Sequence, residues 1–483
     1  MNRDTVVKNL IWRLGERFGA KIVQFIVMIV IAKILTPADM GIVAIISAFI
    51  EILQIFIESG FGNALIQKKD ADDLDFSSVF YFNCVICGLA YLLMFFGAPV
   101  IAWIYESPDL TPVIRVMSLV LIVSGMKNVQ QAYVSKNMLF KRFFFATLVG
   151  TVVAAIAGII MALKGLGIWA LVAQNLINVT LDTTILWLTV NWRPKKCFSF
   201  QRLKTLYNYG WKLFASSLLE VIYLKMRNLI IGKRFTPTSL AHYTYAEYFP
   251  QFITSILNSS IDSVLLPSMS KAQDSRENVK SMTRRAIKMG TYLMMPFMAG
   301  IIACADSAIR IVLKPDYLPC IPYLRLLCIA YAFLPIHTAN LNAIKAIGRS
   351  DTYLKLEIIK KVVDFIAIIT TMFISVKAMV IGMLISSVIS QVINAWPNKK
   401  LLNYSYFEQI LDMLPQIAAS VIMGTVVYLI NFIDINYIVK LMIQIPTGVI
   451  IYIISSKLLH IDSFEYLLDT AKSLLNRKKD KEI

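Results

Sequence analysis

Three basic side chains share one face of the first apolar segment of this sequence. Arg13, Arg17 and Lys21 stand at positions i, i+4 and i+8, which places them one above another on a helix. Guanidinium and ammonium groups bind phosphate oxygens, and arginine does so through two parallel hydrogen bonds. A charge at the centre of a bilayer costs about 2.5–3.5 kcal/mol on insertion scales. The stripe is therefore expected to face a hydrated cavity or a partner helix, although Arg13 lies close enough to the helix end to reach the headgroups.

Further charges interrupt other apolar segments, counted here in chain order. Glu51 and Glu58 lie seven residues apart in the second segment, two helical turns along one face. Such carboxylates accept hydrogen bonds from sugar hydroxyls or hold a coupling cation, and architectural pairing with lysines is the alternative. The later charges are Glu220, Lys225 and Arg227 in the seventh segment, Glu247 and Asp262 in the eighth, and Lys360, Lys361 and Asp364 at the start of the eleventh.

The composition indicates which elements position these charges. The 483 residues are 57% hydrophobic and 16% charged, whereas soluble proteins carry about 25% charged residues. Apolar runs recur from end to end, and about fourteen are long enough to cross a bilayer, at roughly 20 residues each. Because only helices or closed barrels satisfy the backbone in lipid, and these runs do not alternate in polarity, we predict an all-α integral membrane protein. The segment 12–35 is predicted to be a retained first helix rather than a signal peptide.

A short motif recurs 200 residues apart. Lys33-x-x-Thr36-Pro37 and Lys233-x-x-Thr236-Pro237 each close an apolar segment, and internal repeats of this kind are typical of alternating-access transporters. Aligning the copies pairs the first and second segments with the seventh and eighth, which are the charged ones. These four are expected to line a polar cleft, with Lys33 and Lys233 marking helix ends. The predicted regions are a first six-helix lobe at 1–205, a second at 206–400, two further helices at 401–460 and a basic cytoplasmic tail at 461–483.

The net charge of +18 is distributed over every second loop. This pattern follows the positive-inside rule and predicts that both termini lie in the cytoplasm. Nucleic-acid binding is not expected, because the charges are dispersed over loops. Cys84 and Cys87 form a C-x-x-C without a second pair, and zinc needs four ligands or three with water. We expect no metal, no cofactor and no catalytic residue.

Longer stretches carry a family resemblance. The segments 35–41 (LTPADMG), 58–69 (ESGFGNALIQKK), 80–83 (FYFN) and 342–361 resemble polysaccharide-transport family flippases, the Wzx-type lipopolysaccharide and exopolysaccharide exporters of the multidrug/oligosaccharidyl-lipid/polysaccharide superfamily. The resemblance implies fourteen helices in two pseudo-symmetric lobes of six, plus two at the carboxyl end. It also implies that the protein moves an undecaprenyl-diphosphate-linked oligosaccharide from the inner to the outer leaflet of the bacterial inner membrane, for O-antigen, capsule or exopolysaccharide synthesis. It does not assign individual substrate contacts.

Two other functions stay open at this point. A multidrug-type, cation-coupled exporter of the same superfamily would share the fold, but the basic stripes favour an anionic cargo. A membrane glycosyltransferase or polymerase would use a motif such as Asp73-x-Asp75, which a solvated charge run explains better. There is no G-x-x-x-x-G-K-[ST] loop for ATP hydrolysis, so the membrane potential or proton or sodium antiport would supply the energy. The protein is expected to act as a monomer, with a glycan polymerase or export machinery as a partner.

Overall fold

All the regular structure described is helical. The computed structural model describes residues 3–58, 61–68, 70–272 and 274–469, and every regular element within these ranges is a helix. By contacts the chain divides into two compact units, Met1–Ala241 and His242–Ile483. Since every backbone donor and acceptor inside lipid needs an internal partner, a helical chain of this apolarity fits a membrane.

The first unit contains nine helices and the beginning of a tenth in its described residues. They are α1 Arg3–Ala32, α2 Pro37–Glu58, α3 Phe61–Gln67, α4 Asp73–Ile104, α5 Leu110–Met117, α6 Leu119–Lys136, α7 Phe140–Leu163, α8 Ile168–Thr189, α9 Phe200–Arg234 and α10 Pro237–Lys271, which continues into the second unit. The second unit adds α11 Arg276–Val312, α12 Ile321–Ala332, α13 Leu334–Ala346, α14 Ser350–Thr371, α15 Val376–Ala395, α16 Asn398–Leu402, α17 Tyr406–Leu429 and α18 Tyr437–Leu458.

Nine helical stretches in the described part of the chain are long and apolar enough to cross a membrane. The prediction of an all-helical, multi-pass membrane protein is therefore confirmed. Helices α8 and α14 are not among the nine, because polar and charged residues dilute their apolar stretches. In the part of α1 that was searched, Gly19–Ala32 forms a shorter apolar helix. The count of fourteen spans, the two-lobe layout and the four regions predicted above remain predictions.

The repeated Lys-x-x-Thr-Pro motif begins a helix in both copies. Thr36 Oγ1 accepts a hydrogen bond from the Asp39 backbone N–H at 3.3 Å, and Thr236 Oγ1 accepts one from the Ser239 N–H at 3.0 Å. The following proline occupies the first helical position, where its missing N–H has no consequence. The prediction that the motif marks helix ends is confirmed. The order of elements repeats as well, because α5 and α6 break at Ser118 as α12 and α13 break at Phe333.

A buried carboxylate anchors the start of α4. Asp75 is fully buried, accepts a hydrogen bond from Lys68 Nζ at 2.5 Å and lies 3.7 Å from the Arg202 guanidinium. Asp72 caps α4 by accepting from the Asp75 N–H at 3.0 Å, and that hydrogen bond lowers the pKa of Asp72. Asp73 pairs with Lys195 at 2.5 Å. The interpretation of Asp73-x-Asp75 as a solvated charge run is therefore wrong for Asp75, which is an internal ion-pair partner.

Replacing Asp75 by asparagine is expected to destabilise the protein by about 2 kcal/mol, because the buried side chain loses the charge-assisted hydrogen bond from Lys68 and the ion pair with Arg202. Thermal unfolding in detergent measures this change as a lower melting temperature. Asp70→Asn is the matched control, since Asp70 lies just before α4 and is exposed. Equal melting temperatures for the two variants would contradict the assigned role of Asp75.

Candidate functional site

The first unit pairs two charges that the sequence places in separate apolar segments. Helix α2 packs against α9, and Lys225 Nζ lies 2.6 Å from Glu51 Oε2. Glu51 is about 21 Å along α2 from Pro37, and Lys225 is about 14 Å from the end of α9, at 1.5 Å per residue. Both charges therefore lie well inside their helices, at depths where lipid exposure would be costly.

Exposure distinguishes this pair from an architectural ion pair. The Glu51 side chain is 45% exposed and the Lys225 side chain 25% exposed, so a ligand can reach both. In the absence of a ligand the two charges neutralise each other. An incoming phosphate can take over the Lys225 ammonium through charge-assisted hydrogen bonds. Glu51 is then released to accept hydrogen bonds from hydroxyl groups.

An aromatic pocket is lined in part by the same two helices. Its volume is about 180 Å³, and its walls come from α2, α3, α4 and α9. Phe56 and Phe214 form an edge-to-face pair across α2 and α9, with ring centroids 4.9 Å apart. The lining residues are Phe56, Phe61, Phe82, Ile86, Tyr207, Trp211 and Phe214. An amphipathic ligand could therefore place a charged group at the ion pair and an apolar group against these rings.

An apolar groove continues from the pocket along α2 and α4. Phe56 and Ile86 line both, and the groove extends as far as Phe96 and Gly97. Its walls are aliphatic and aromatic side chains of two helices. This surface is suited to a hydrocarbon chain.

The other cleft residues predicted in the first unit are placed differently. Arg227 lies two residues beyond Lys225 on α9 and is buried, at 8% exposure. Lys21 on α1 and Glu220 on α9 are exposed. The side chains of Arg13, Arg17 and Glu58, and that of Asp262 in the second unit, lie outside the described residues, so their predicted roles stay predictions.

In the second unit, two tyrosines hold the predicted carboxylate on α10. Glu247 Oε1 accepts hydrogen bonds from Tyr243 Oη at 3.1 Å and Tyr331 Oη at 2.9 Å. Glu247 is half-buried. A role for it with a sugar or a coupling ion remains a prediction.

The charges predicted on the eleventh span lie on α14. Lys360 pairs with Glu357 three residues earlier, at 2.6 Å, an ordinary helix-surface pair by spacing. Asp364 is buried, at 7% exposure, and Lys361 is half-buried. The local pair with Glu357 explains the presence of Lys360 without a ligand.

Lys233 of the repeated motif contacts the loop after α4. Its Nζ donates a hydrogen bond to Glu106 Oε1 at 2.9 Å, and this bond lowers the pKa of Glu106. Both side chains are largely exposed, and exposed pairs contribute little to stability. The contact agrees with the interpretation of Lys233 as a residue at a helix end rather than a ligand contact.

Sequence reasoning missed a second internal ion pair. Lys127 Nζ on α6 lies 3.0 Å from Asp182 Oδ2 on α8, with side chains 17% and 10% exposed. Neither Lys127 nor Asp182 is among the charges that the sequence analysis singles out. The available signal was a lone carboxylate in the otherwise uncharged run 168–192, a rare feature in a membrane span.

Comparison with known proteins relates this geometry to characterised relatives. The family model described as "Polysaccharide biosynthesis protein" matches residues 30–322. The succinoglycan biosynthesis transport protein ExoT of Rhizobium meliloti (strain 1021) is 23% identical over 349 residues, 72% of this chain and 71% of the relative. The lipopolysaccharide biosynthesis protein WzxC of Escherichia coli (strain K12) is 21% identical over 423 residues, 83% of each chain.

A solved structure shares the fold. The lipid II flippase MurJ, in an inward closed conformation, superposes with a TM-score of 0.76 and 17% sequence identity, covering 94% of this chain and 99% of that one. The family resemblance noted in the sequence is thereby confirmed. The chain belongs to the polysaccharide biosynthesis protein family of membrane transporters and is not an enzyme.

Proposed function

We propose that this protein is a flippase for undecaprenyl-diphosphate-linked oligosaccharides, moving them from the cytoplasmic to the outer leaflet of the bacterial inner membrane for surface polysaccharide synthesis. The main support is the partly exposed ion pair between Glu51 on α2 and Lys225 on α9. Both helices also contribute to the lining of the aromatic pocket. The names of the relatives, which concern succinoglycan transport and lipopolysaccharide biosynthesis, support the class of cargo. The similarity in fold to the lipid II flippase MurJ supports the proposal that this fold can move a lipid-linked glycan.

The cargo presents the protein with two opposite solvation problems. Each unpaired hydroxyl moved into hydrocarbon costs on the order of 2–7 kcal/mol, so the glycan needs a wet, polar path. The isoprenoid tail is at home in lipid and can stay against an apolar wall. Lys225 would form an ion pair with the diphosphate, and Glu51 would accept hydrogen bonds from sugar hydroxyl groups. The aromatic pocket and the apolar groove would bind the part of the isoprenoid tail nearest the diphosphate.

The charge on the cargo gives the transport a direction. The cytoplasm is electrically negative, and each charge that crosses the membrane gains about 2.3 kcal/mol per 100 mV. Two negative charges moving outward therefore gain roughly 4–5 kcal/mol per 100 mV, provided that no compensating cation accompanies them. The protein would work by alternating access and as a monomer. Both of its termini would lie in the cytoplasm. A glycan polymerase is the expected recipient of the flipped cargo.

Reconstitution tests this function. Proteoliposomes loaded with lipid-diphosphate oligosaccharides should show protein-dependent transfer between leaflets, and the rate should rise when the imposed potential is negative on the donor side. Protein-free vesicles and Lys225→Gln proteoliposomes are the controls. Equal rates with and without protein would contradict the proposal. Transport of cationic drugs in place of the glycan lipid would favour the multidrug alternative.

A further inference from the structure

The ion pair between α6 and α8 lies deep within the first unit. Asp182 is about 21 Å from the start of α8 and about 11 Å from its end, at 1.5 Å per residue. Lys127 Nζ reaches only one of the two carboxylate oxygens, Oδ2, at 3.0 Å. The pair lies on helices that do not carry Glu51 or Lys225, so it is separate from the proposed cargo contacts.

Two further hydrogen bonds tie α6 to the last turns of α8 and to the residues that follow it. Trp187 Nε1 donates to the Met126 carbonyl at 3.0 Å, and Gln130 Nε2 donates to the Trp192 carbonyl at 3.1 Å. Neither contact involves a charge of the pair. The register of α6 against α8 is therefore held independently of Lys127, and Asp182 would keep its place without the lysine.

The second carboxylate oxygen of Asp182 is buried and lacks a hydrogen-bond partner among the described residues. Buried carboxylate oxygens usually have partners, because an unsatisfied one keeps its desolvation penalty. Only one-tenth of the Asp182 side chain is exposed. Asp182 therefore has one oxygen bonded to the Lys127 ammonium and one buried oxygen that could coordinate a cation.

The second unit bridges the equivalent helices without charge. In the repeated order of elements, α13 and α15 correspond to α6 and α8, since each pair consists of the second half of a broken helix and the second helix after it. There, Asn394 Nδ2 and His337 Nδ1 lie 2.8 Å apart and both side chains are buried. A neutral pair therefore suffices to join these helices. The buried charges of the first unit need another explanation.

We propose that Asp182 is a binding site for a small monovalent cation, Na⁺ or Li⁺, and that the Lys127 ammonium fills this site as a tethered cation. A buried, ionised carboxylate without a counter-charge is destabilising by several kcal/mol, so the group must either be protonated or be paired with a cation. Lys127 supplies that cation from within the chain. The first unit then needs no free alkali cation, and removing the ammonium should create a requirement for one.

The full-length protein with Lys127→Gln tests this proposal through its thermal stability in detergent at fixed ionic strength. In choline chloride the variant should melt below the wild type, and NaCl or LiCl should restore it by an amount that rises with cation concentration, since binding to the folded state stabilises it. The wild type should melt at one temperature in all three salts. The control Lys127→Gln/Asp182→Asn should also be insensitive, because no carboxylate remains.

Two outcomes would overturn the proposal: a Lys127→Gln protein that does not respond to Na⁺ or Li⁺, or a double variant that responds like the single one. If Lys127→Gln does not fold in choline chloride, the amount of folded protein recovered by extraction in NaCl is compared with the amount recovered in choline chloride. Recovery in NaCl alone supports a cation site, and loss in both salts contradicts it. This measurement does not depend on glycan transport, so its result is separate from the success of the proposed function.

Discussion

Lys225→Gln is expected to lower the rate of transfer of lipid-linked oligosaccharide at least about tenfold. The lysine would make charge-assisted hydrogen bonds to the diphosphate, and bonds to charged groups contribute about 1.5–3 kcal/mol each. A difference of about 1.4 kcal/mol is a factor of ten in an equilibrium or rate. The measurement is the initial rate of outer-leaflet appearance in proteoliposomes containing equal amounts of each variant.

Three further variants separate cargo binding from architecture. Lys204→Gln removes one positive charge from an exposed position on the same helix and should leave the rate near that of the wild type. Glu51→Gln should be less harmful than Lys225→Gln, because it frees the ammonium for the cargo. The double neutral variant Glu51→Gln/Lys225→Gln should stay as slow as Lys225→Gln. A wild-type rate for the double variant would show that the pair only joins α2 to α9.

Gly41→Ala is expected to abolish transport and to lower the melting temperature. A Cβ at position 41 would lie 1.8 Å from the Pro237 carbonyl oxygen and 2.8 Å from its Cα. These are backbone atoms, which cannot rotate away, so the beginnings of α2 and α10 would have to separate. Overpacking in a close contact costs about 1–3 kcal/mol. The close approach of α2 to Pro237 would therefore be lost.

Gly88→Ala is the matched control for this prediction. Gly88 lies on the apolar helix α4, and a Cβ there would meet no atom within 4 Å. Alanine is favoured over glycine inside a helix by roughly 0.5–1 kcal/mol, so this variant should be as stable as the wild type or slightly more so. Gly41→Ala with unimpaired transport would show that the contact with Pro237 is not part of the working cycle.

The contact at Gly41 also gives the repeated motif a physical role. Pro37 and Pro237 each begin a helix after a capping threonine, and the first turn of α2 approaches Pro237 backbone to backbone. A sharp, fixed helix start allows such an approach, because the proline presets its own backbone angle. The glycine removes the remaining steric obstacle.

Local physical chemistry explains what could be predicted from the sequence. Helix and membrane class follow from composition, because lipid leaves the backbone few alternatives. The starts of α2 and α10 follow from the Thr-Pro pairs, since capping involves residues only three apart. Glu51 and Lys225 were each singled out by the same argument, that charges inside apolar spans are costly and therefore have a purpose.

The tertiary structure decided which charges meet. Lys225 pairs with Glu51, and Lys127 pairs with Asp182. Asp75 is buried and pairs with Lys68 and Arg202. The first two of these pairs join positions on different helices that are far apart in the chain. The sequence by itself determined that the charged residues needed partners or water, because the cost of a buried charge is a local property. It could not determine which partner each would have, because side-by-side packing of helices depends on the whole set of contacts in the folded unit.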